Sequence, residues 1–219
     1  MVYYKYLNAD RKSPLQDWQW PRVGTWTKPI DGVAACERGY HACRTAPHFD
    51  LLEWSGEHLY EIELRGDIIV ADTKVVAPQA RLVRQVKTWN ARTQRLFTCD
   101  CAARVLKIYE RDYPNDKRPR EAIRVAQAFA NGKASTEELV AARAAAWDAA
   151  RDAARVASRV AAWVAARAAA WDDPWVAARA AARDAARVAA WDDAWDDAWV
   201  AEKKWQLQRM TKYIEGEIA

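Results

Sequence analysis

The chain has 219 residues, 51% of them hydrophobic, with 34 Lys+Arg against 30 Asp+Glu and a net charge of +4. Alanine carries the hydrophobic share: 29 of the 61 residues from Ala141 to Ala201 are Ala, and 13 Trp stand against 3 Phe and 2 Met. No charge-free apolar run reaches the ~18 residues of a spanning helix, the first residues hold no apolar h-region, and 7 Gly and 8 Pro are too few for collagen-like or disordered classes. The expected location is therefore the cytoplasm.

Tyr3-Tyr4-Lys5-Tyr6-Leu7 reads as a first strand, followed by irregular loops through Pro14, Pro21, Gly24 and Pro29. Gly39 marks a turn within Cys36–Cys43, and Phe49–Trp54 is a short helix candidate. His58–Leu64 alternates apolar and polar residues and closes at Arg65-Gly66, which predicts a half-buried strand. Asp67–Ala71 and Lys74-Val75-Val76 are short, β-branched and strand-like. Near residue 98 the period changes. Ala103, Val105, Leu106 and Tyr109 fall on helical spacing, and Tyr113-Pro114-Asn115-Asp116 breaks it. Pro119 sits just inside a second helix that Asn131-Gly132 stops. Ser135 and Glu138 form a capping box for a third, and the chain reads as helical from there on, with one clear interruption. The fold class expected is α+β: a small β-rich head domain over 1–90, then an Ala/Trp/Arg-rich multi-helix bundle over 91–219.

Within that bundle, about residues 141–201, a four-residue register runs from Arg143 through Trp147, Arg151, Arg155, Arg159, Trp163, Arg167, Trp171, Trp175, Arg179, Arg183, Arg187, Trp191 and Trp195 to Trp199, always Arg or Trp. A four-residue step overshoots one helical turn by about 40°, so no single straight helix keeps the stripe on one face. Several helices of roughly 12–20 residues are expected instead. One break falls at Asp172-Asp173-Pro174, with Asp173 as N-cap, and another is allowed at Asp192-Asp193 or Asp196-Asp197. The stripe supports two readings: a bundle with Trp in the core and Arg/Asp pairs outside, or a Trp/Arg groove that stacks bases. Eight Arg against nine Asp in this stretch favour the bundle, because binding nucleic acid requires net phosphate neutralisation.

Basic excess lies in the front part: no acid occurs between Asp72 and Asp100, while Lys74, Arg81, Arg84, Lys87, Arg92 and Arg95 accumulate. Such a block attracts phosphates or an acidic protein, although a solvated face has the same composition. The four cysteines, Cys36, Cys43, Cys99 and Cys101, are spaced C-x6-C and C-x-C. Neither spacing is the close knuckle of structural zinc, so buried thiols and no metal are expected.

Two resemblances follow from particular residues. Cys99-Asp100-Cys101-Ala102-Ala103-Arg104-Val105-Leu106, Tyr113-Pro114-Asn115-Asp116-Lys117-Arg118-Pro119-Arg120-Glu121-Ala122-Ile123 and Ala128-Phe129-Ala130-Asn131-Gly132, with the Ala-rich tract, resemble an Ala-rich family of immunity proteins, partners of bacterial polymorphic toxins. The resemblance spans about 97–219. The regular Trp/Arg repeat departs from it and leaves toxin specificity open. Residues 3–86, through Cys36-Glu37-Arg38-Gly39-Tyr40-His41-Ala42-Cys43 and Leu59–Gly66, are similar to an uncharacterised domain that heads repeat proteins in phages and bacteria.

Three functions remain open. The first is a non-catalytic protein that neutralises a toxin or a host antiphage defence effector, acting in the host cytoplasm if phage-encoded. The second is a nucleotide-binding protein that sequesters a defence second messenger through a basic, Trp-containing pocket. Arg81, Arg84, Lys87, Trp89, Arg92, Arg95 and His41 are the candidate partner- or ligand-binding residues for either. The third is a nicotinamide-nucleotide enzyme centred on His41, with Tyr40 beside it and Glu61 or Glu63 on a strand; a structural histidine in the Gly39 turn is the competing reading. No catalytic residue is assigned and no cofactor is implied. The expected partner is a protein toxin or defence effector, with a nucleotide ligand as the alternative, no membrane, and oligomeric state open.

Overall fold

Strand β1 (Tyr3–Leu7) buries Tyr4, Tyr6 and Leu7 and leaves Tyr3 and Lys5 half-buried, so both faces of this strand meet packed side chains. It sits near the middle of a six-stranded sheet in the order β4-β5-β2-β1-β3-β6, built with β2 (Tyr40–Arg44), β3 (His58–Arg65), β4 (Ile69–Ala71), β5 (Lys74–Ala77) and β6 (Gln79–Gln85). Every neighbouring pair is antiparallel. The computed structural model describes residues 2–45, 48–170, 180–188 and 195–218. The chain divides into two compact units, Met1–Asn90 and Ala91–Ala219.

In the first unit, one face of the sheet carries a cluster of Leu7, Tyr40, Ala42, Tyr60, Ile62, Val75, Ala80 and Leu82, covered by Trp20. Residues 24–30 seal the β6 edge: the N–H groups of Gly24, Thr27 and Ile30 donate to Leu82, Ala80 and Pro78. Such covering removes the open ladder that invites unwanted pairing. Two strands lie where strands were not expected. β2 follows the predicted Gly39 turn. β6 occupies part of the basic block, where Ala80 and Leu82 alternate inward between outward arginines. Phe49–Trp54 contributes a shorter helix than expected, α1 (Asp50–Glu53). Its first residue, Asp50, takes a bidentate ion pair from buried Arg44 (Nε 2.6 Å, Nη2 3.0 Å), and Arg44 Nη2 also reaches the carbonyls of Ala71 and Asp72.

The second unit is helical: α2 (Ala91–Asp112), α3 (Arg118–Ala130), α4 (Thr136–Asp152), α5 (Val156–Ala168), α6 (residues 180–188) and α7 (Trp195–Glu215). α2 begins seven residues before the predicted change of period at 98. Thr93, Gln94, Arg95 and Thr98 are buried along with its apolar residues, so its first turns show no polar-versus-apolar periodicity. α3 carries Pro119 in its first turn and ends at Asn131, and Gly132 adopts positive φ there. The Ser135–Glu138 capping box is formed in both directions, Glu138 N to Ser135 Oγ at 3.2 Å and Ser135 N to Glu138 Oε2 at 2.7 Å. Ser135→Ala is expected to cost about 1 kcal/mol, measured as a lower denaturation midpoint; an unchanged midpoint would show that α4 does not depend on its cap.

The repeat breaks into short helices, as its 40° drift requires, but with a break that was not expected: Ala153 leaves the helix with extended backbone, and α5 starts after Arg155. The expected break at Asp173-Pro174, and the alternative at Asp192-Asp193, lie outside the described residues; Asp196-Asp197 fall in the first turn of α7.

The expectation of Trp in the core is corrected. Among described residues of the register none is buried: Trp147 and Trp163 are half-buried, and Arg151, Arg155, Arg183, Arg187 and Trp199 are exposed. The core comes from the residues just before each register position, such as Ala149-Ala150, Ala161-Ala162, Ala165-Ala166, Ala181-Ala182 and Ala185-Ala186. A methyl-sized side chain lets helix axes approach closely, and an indole at the same position would hold them apart. Among the described positions Ala therefore faces inward, while Trp147 and Trp163 are half-buried and Trp199 is exposed.

Candidate partner-binding surface

The sequence-derived site residues are distributed as follows. In the first unit, Arg81 and Arg84 project from β6 and pair with carboxylates of β3: Arg81 Nε lies 2.8 Å from Glu63 Oε2, and Arg84 Nε 2.8 Å from Glu61 Oε2. Arg81 also lies over Trp26, 5.0 Å from the ring centroid, with Arg65 at 5.7 Å. Lys87 is exposed, whereas Trp89 is packed inside the unit, where it hydrogen-bonds the Tyr6 hydroxyl. In the second unit, Arg92 donates to Asn131 Oδ1 at 2.6 Å. Arg95 is buried, bonds the carbonyl of Ala170 and lies 5.0 Å from the Phe129 ring centroid.

His41 Nε2 accepts the backbone N–H of Cys36 at 3.2 Å. Burial, followed by the nearby Lys5 and Lys74 ammonium groups, lowers its pKa below the ordinary 6.5, so the ring is neutral and its free lone pair is engaged in closing a loop. Gly39 explains the tightness of that loop: its φ is +127°, and a Cβ there would lie 2.5 Å from Val76 Cγ2. Burial pushes the Cys43 and Cys99 thiols up to about 12 and raises Cys101 well above its usual value. All three are protonated, inert apolar packing groups; Cys36 alone is exposed. Among the described residues no three His, Cys, Asp or Glu side chains gather as metal ligands, and no helix is long and apolar enough to cross a membrane.

Helix α2 organises the second unit through charged side chains. Asp100 accepts from Arg209 Nε at 2.7 Å and from the Tyr213 hydroxyl at 2.6 Å, both on α7. Arg104 pairs with buried Glu202 at 2.5 Å and lies over Trp205. At the other end of α2, Asp116 accepts from the Tyr109 hydroxyl at 2.5 Å and from Arg118, which also reaches Asp152 of α4 at 2.8 Å. The α4–α5 break rests on the same end: Ala154 N donates to the Tyr113 hydroxyl, and Ser158 Oγ to Asp112.

A family profile described as "Imm-5 like putative immunity protein" matches residues 84–213, more than half of the chain. The chain belongs to that family. A second profile, for a domain of unknown function (DUF7666), matches residues 1–94. No curated protein and no solved structure matches the chain.

Within the immunity-family segment, the Cys99–Leu106 and Asp116–Ile123 motifs that carried the resemblance are thus structural. Asp100 and Arg104 hold α7, and Asp116 and Arg118 hold the α2–α3 turn against α4. The Arg118 guanidinium and then the Tyr109 hydroxyl hold the Asp116 carboxyl at about 2, below its ordinary 3.8. A depressed folded-state value contributes stability above 3.8 that is lost as pH falls towards 2, here up to about 2 kcal/mol. Acid titration of the unfolding midpoint is expected to lose that increment in the native chain and not in Asp116→Asn; equal acid sensitivity in both would refute it. Sequence reasoning missed the Asp112–Ser158 and Tyr113–Ala154 contacts, which span more than forty residues and have no local signal.

Proposed function

We propose that this chain is an immunity protein that neutralises a toxin by binding it, without chemistry of its own. The family match over residues 84–213 carries the reading, because it takes in nearly the whole helical unit. The engaged lone pair of His41 and the protonated buried thiols support a binding role over a catalytic one. A phosphate-bearing ligand at Arg81 or Arg84 would compete with Glu63 and Glu61 for the same guanidinium groups, which favours a protein partner over a sequestered nucleotide. A defence effector fits the same mode of action as a secreted toxin.

The test is growth rescue. Bacteria carrying an inducible panel of polymorphic toxin domains, co-expressing the full chain, are expected to survive one toxin or a related set, with a stable complex recovered by gel filtration. Rescue of none across the panel overturns the proposal. Rescue without a complex, accompanied by chemical change in the toxin or its product, would instead make the chain an enzyme.

A further inference from the structure

Strand β1 puts a lysine where the first unit otherwise packs apolar groups. Lys5 shares the face of β1 with Tyr3 and Leu7, which pack in the cluster that Trp20 covers, and it is half-buried. Its ammonium sits over the Trp20 ring, 5.6 Å from the centroid. Directly across on β3 stands Tyr60, only 5% exposed. The Trp20 backbone N–H donates to the carbonyl of Arg11 at 3.1 Å, which brings a second cation to the same indole. Arg11 adopts φ +64°, a conformation that favours glycine. Its guanidinium is near enough to Tyr60 to oppose the rise in pKa that burial imposes on the phenol.

These three polar heads are unpaired. Among the described residues no carboxylate meets Lys5 or Arg11, and neither their cations nor the Tyr60 hydroxyl makes a hydrogen bond. Asp10 and Asp17, on the loop that carries Arg11, are both taken by Lys12, at 3.6 and 3.1 Å. The other groups around Lys5 supply no negative charge, since the Cys43 thiol is protonated and His41 is neutral. Burial lowers Lys5 from 10.5 to about 8; Cys43 opposes the shift and Lys74 adds to it. Among the described residues, the side-chain polar atoms that are both unpaired and sealed from water all belong to the second unit. The Lys5 ammonium and the Tyr60 hydroxyl therefore open to solvent. A lysine, an arginine and a phenol left unpaired around one indole are short of an anion. Two cations with a phenol donor match a dianion, whereas a monocarboxylate would leave one charge over. Trp18 stands edge to face with Trp20, centroids 5.3 Å apart, and is 38% exposed, so an aromatic surface adjoins the charged end.

We infer that Lys5, Arg11 and Tyr60 hold the phosphate of a phosphomonoester whose flat ring lies on Trp18. The site lies in the first unit, apart from the ion-paired Arg81 and Arg84, and goes beyond the binding function proposed for the helical unit.

The full chain is titrated calorimetrically at pH 8 with phenyl phosphate, inorganic phosphate and benzoate. Phenyl phosphate is expected to bind most tightly and benzoate least. Lys5→Met or Arg11→Gly is expected to weaken phenyl phosphate about tenfold, while Lys107→Met, exposed on α2, leaves it unchanged. Trp18→Ala weakens phenyl phosphate and spares inorganic phosphate. Arg11→Gly suits the backbone conformation at that position, so it keeps the fold should Lys5→Met lose it. A bound dianion raises the Lys5 pKa, so the native chain takes up about half a proton per phosphate at pH 8, and Lys5→Met takes up none. Calorimetry in two buffers of different ionisation enthalpy measures that uptake. Absence of phosphate binding, benzoate binding as tightly as phenyl phosphate, indifference to both Lys5→Met and Arg11→Gly, or phenyl phosphate unmoved by Trp18→Ala overturns the inference. The immunity function stands or falls separately, with the rescue assay.

Discussion

Arg44→Ala is expected to lower stability by about 3–5 kcal/mol, the cost of leaving a buried charge without its partner. Arg44 and Asp50 are 6% and 1% exposed at their side chains. Asp50 also accepts the backbone N–H of Arg44 at 2.8 Å, and Arg44 carries the carbonyls of Ala71 and Asp72. Removing the guanidinium therefore strands a carboxylate and two carbonyls together and removes the side-chain tie between the second strand and the end of β4, leaving only the β2–β5 ladder. Denaturant unfolding of the full chain, followed by far-ultraviolet circular dichroism, measures the loss. The double variant Arg44→Met/Asp50→Leu should recover much of it, since an apolar pair of similar volume leaves no charge unpaired. A loss below about 1 kcal/mol for Arg44→Ala would place this pair with ordinary surface ion pairs.

The second large effect comes from the alanine doublets. Ala161→Leu with Ala165→Leu adds volume on one buried face of α5, where both residues are 0% exposed. Each substitution is expected to cost about 1–3 kcal/mol by overpacking, and the pair roughly twice that. Arg151→Ala, at an exposed register position of α4, should fall within about 0.5 kcal/mol of the native chain. Thermal melting of the three chains makes the comparison. Equal effects at both kinds of position would mean that the register, and not the doublets, faces the core.

The same contrast shows which parts of the molecule were legible in the sequence. Elements specified by neighbouring residues were readable: the first strand by its aromatic run, β3 by alternation, and α4 by Ser135 and Glu138. β6 was hidden because its outward positions are Arg81 and Arg84, whose charge dominates the segment and masks the inward Ala80 and Leu82. The Arg/Trp period predicted several short helices, but the facing of the stripe was misjudged: burial tendency argues for Trp inside, while close helix approach argues for Ala, and the approach wins. The break at Ala153 had no local signal because it is held by Tyr113 and Asp112, distant in sequence. Of the residues nominated for binding, Arg81, Arg84 and Lys87 are at the surface and Trp89 and Arg95 are packed inside their units. A run of charge gives no information about which of its members face inward.

The interruption between α4 and α5 has a consequence for how such a chain can change length. Inserting one four-residue unit inside a helix turns everything beyond it by about 40°, which begins to swing the doublets away from their neighbours. Inserting a whole helix with its terminating break restores the original phase, because the extended residue at Ala153 resets the rotation. Family relatives should therefore differ in this tract by complete helical segments and seldom by single units, so that the outward display of Arg and Trp is lengthened or shortened in discrete panels while the alanine interior keeps its geometry.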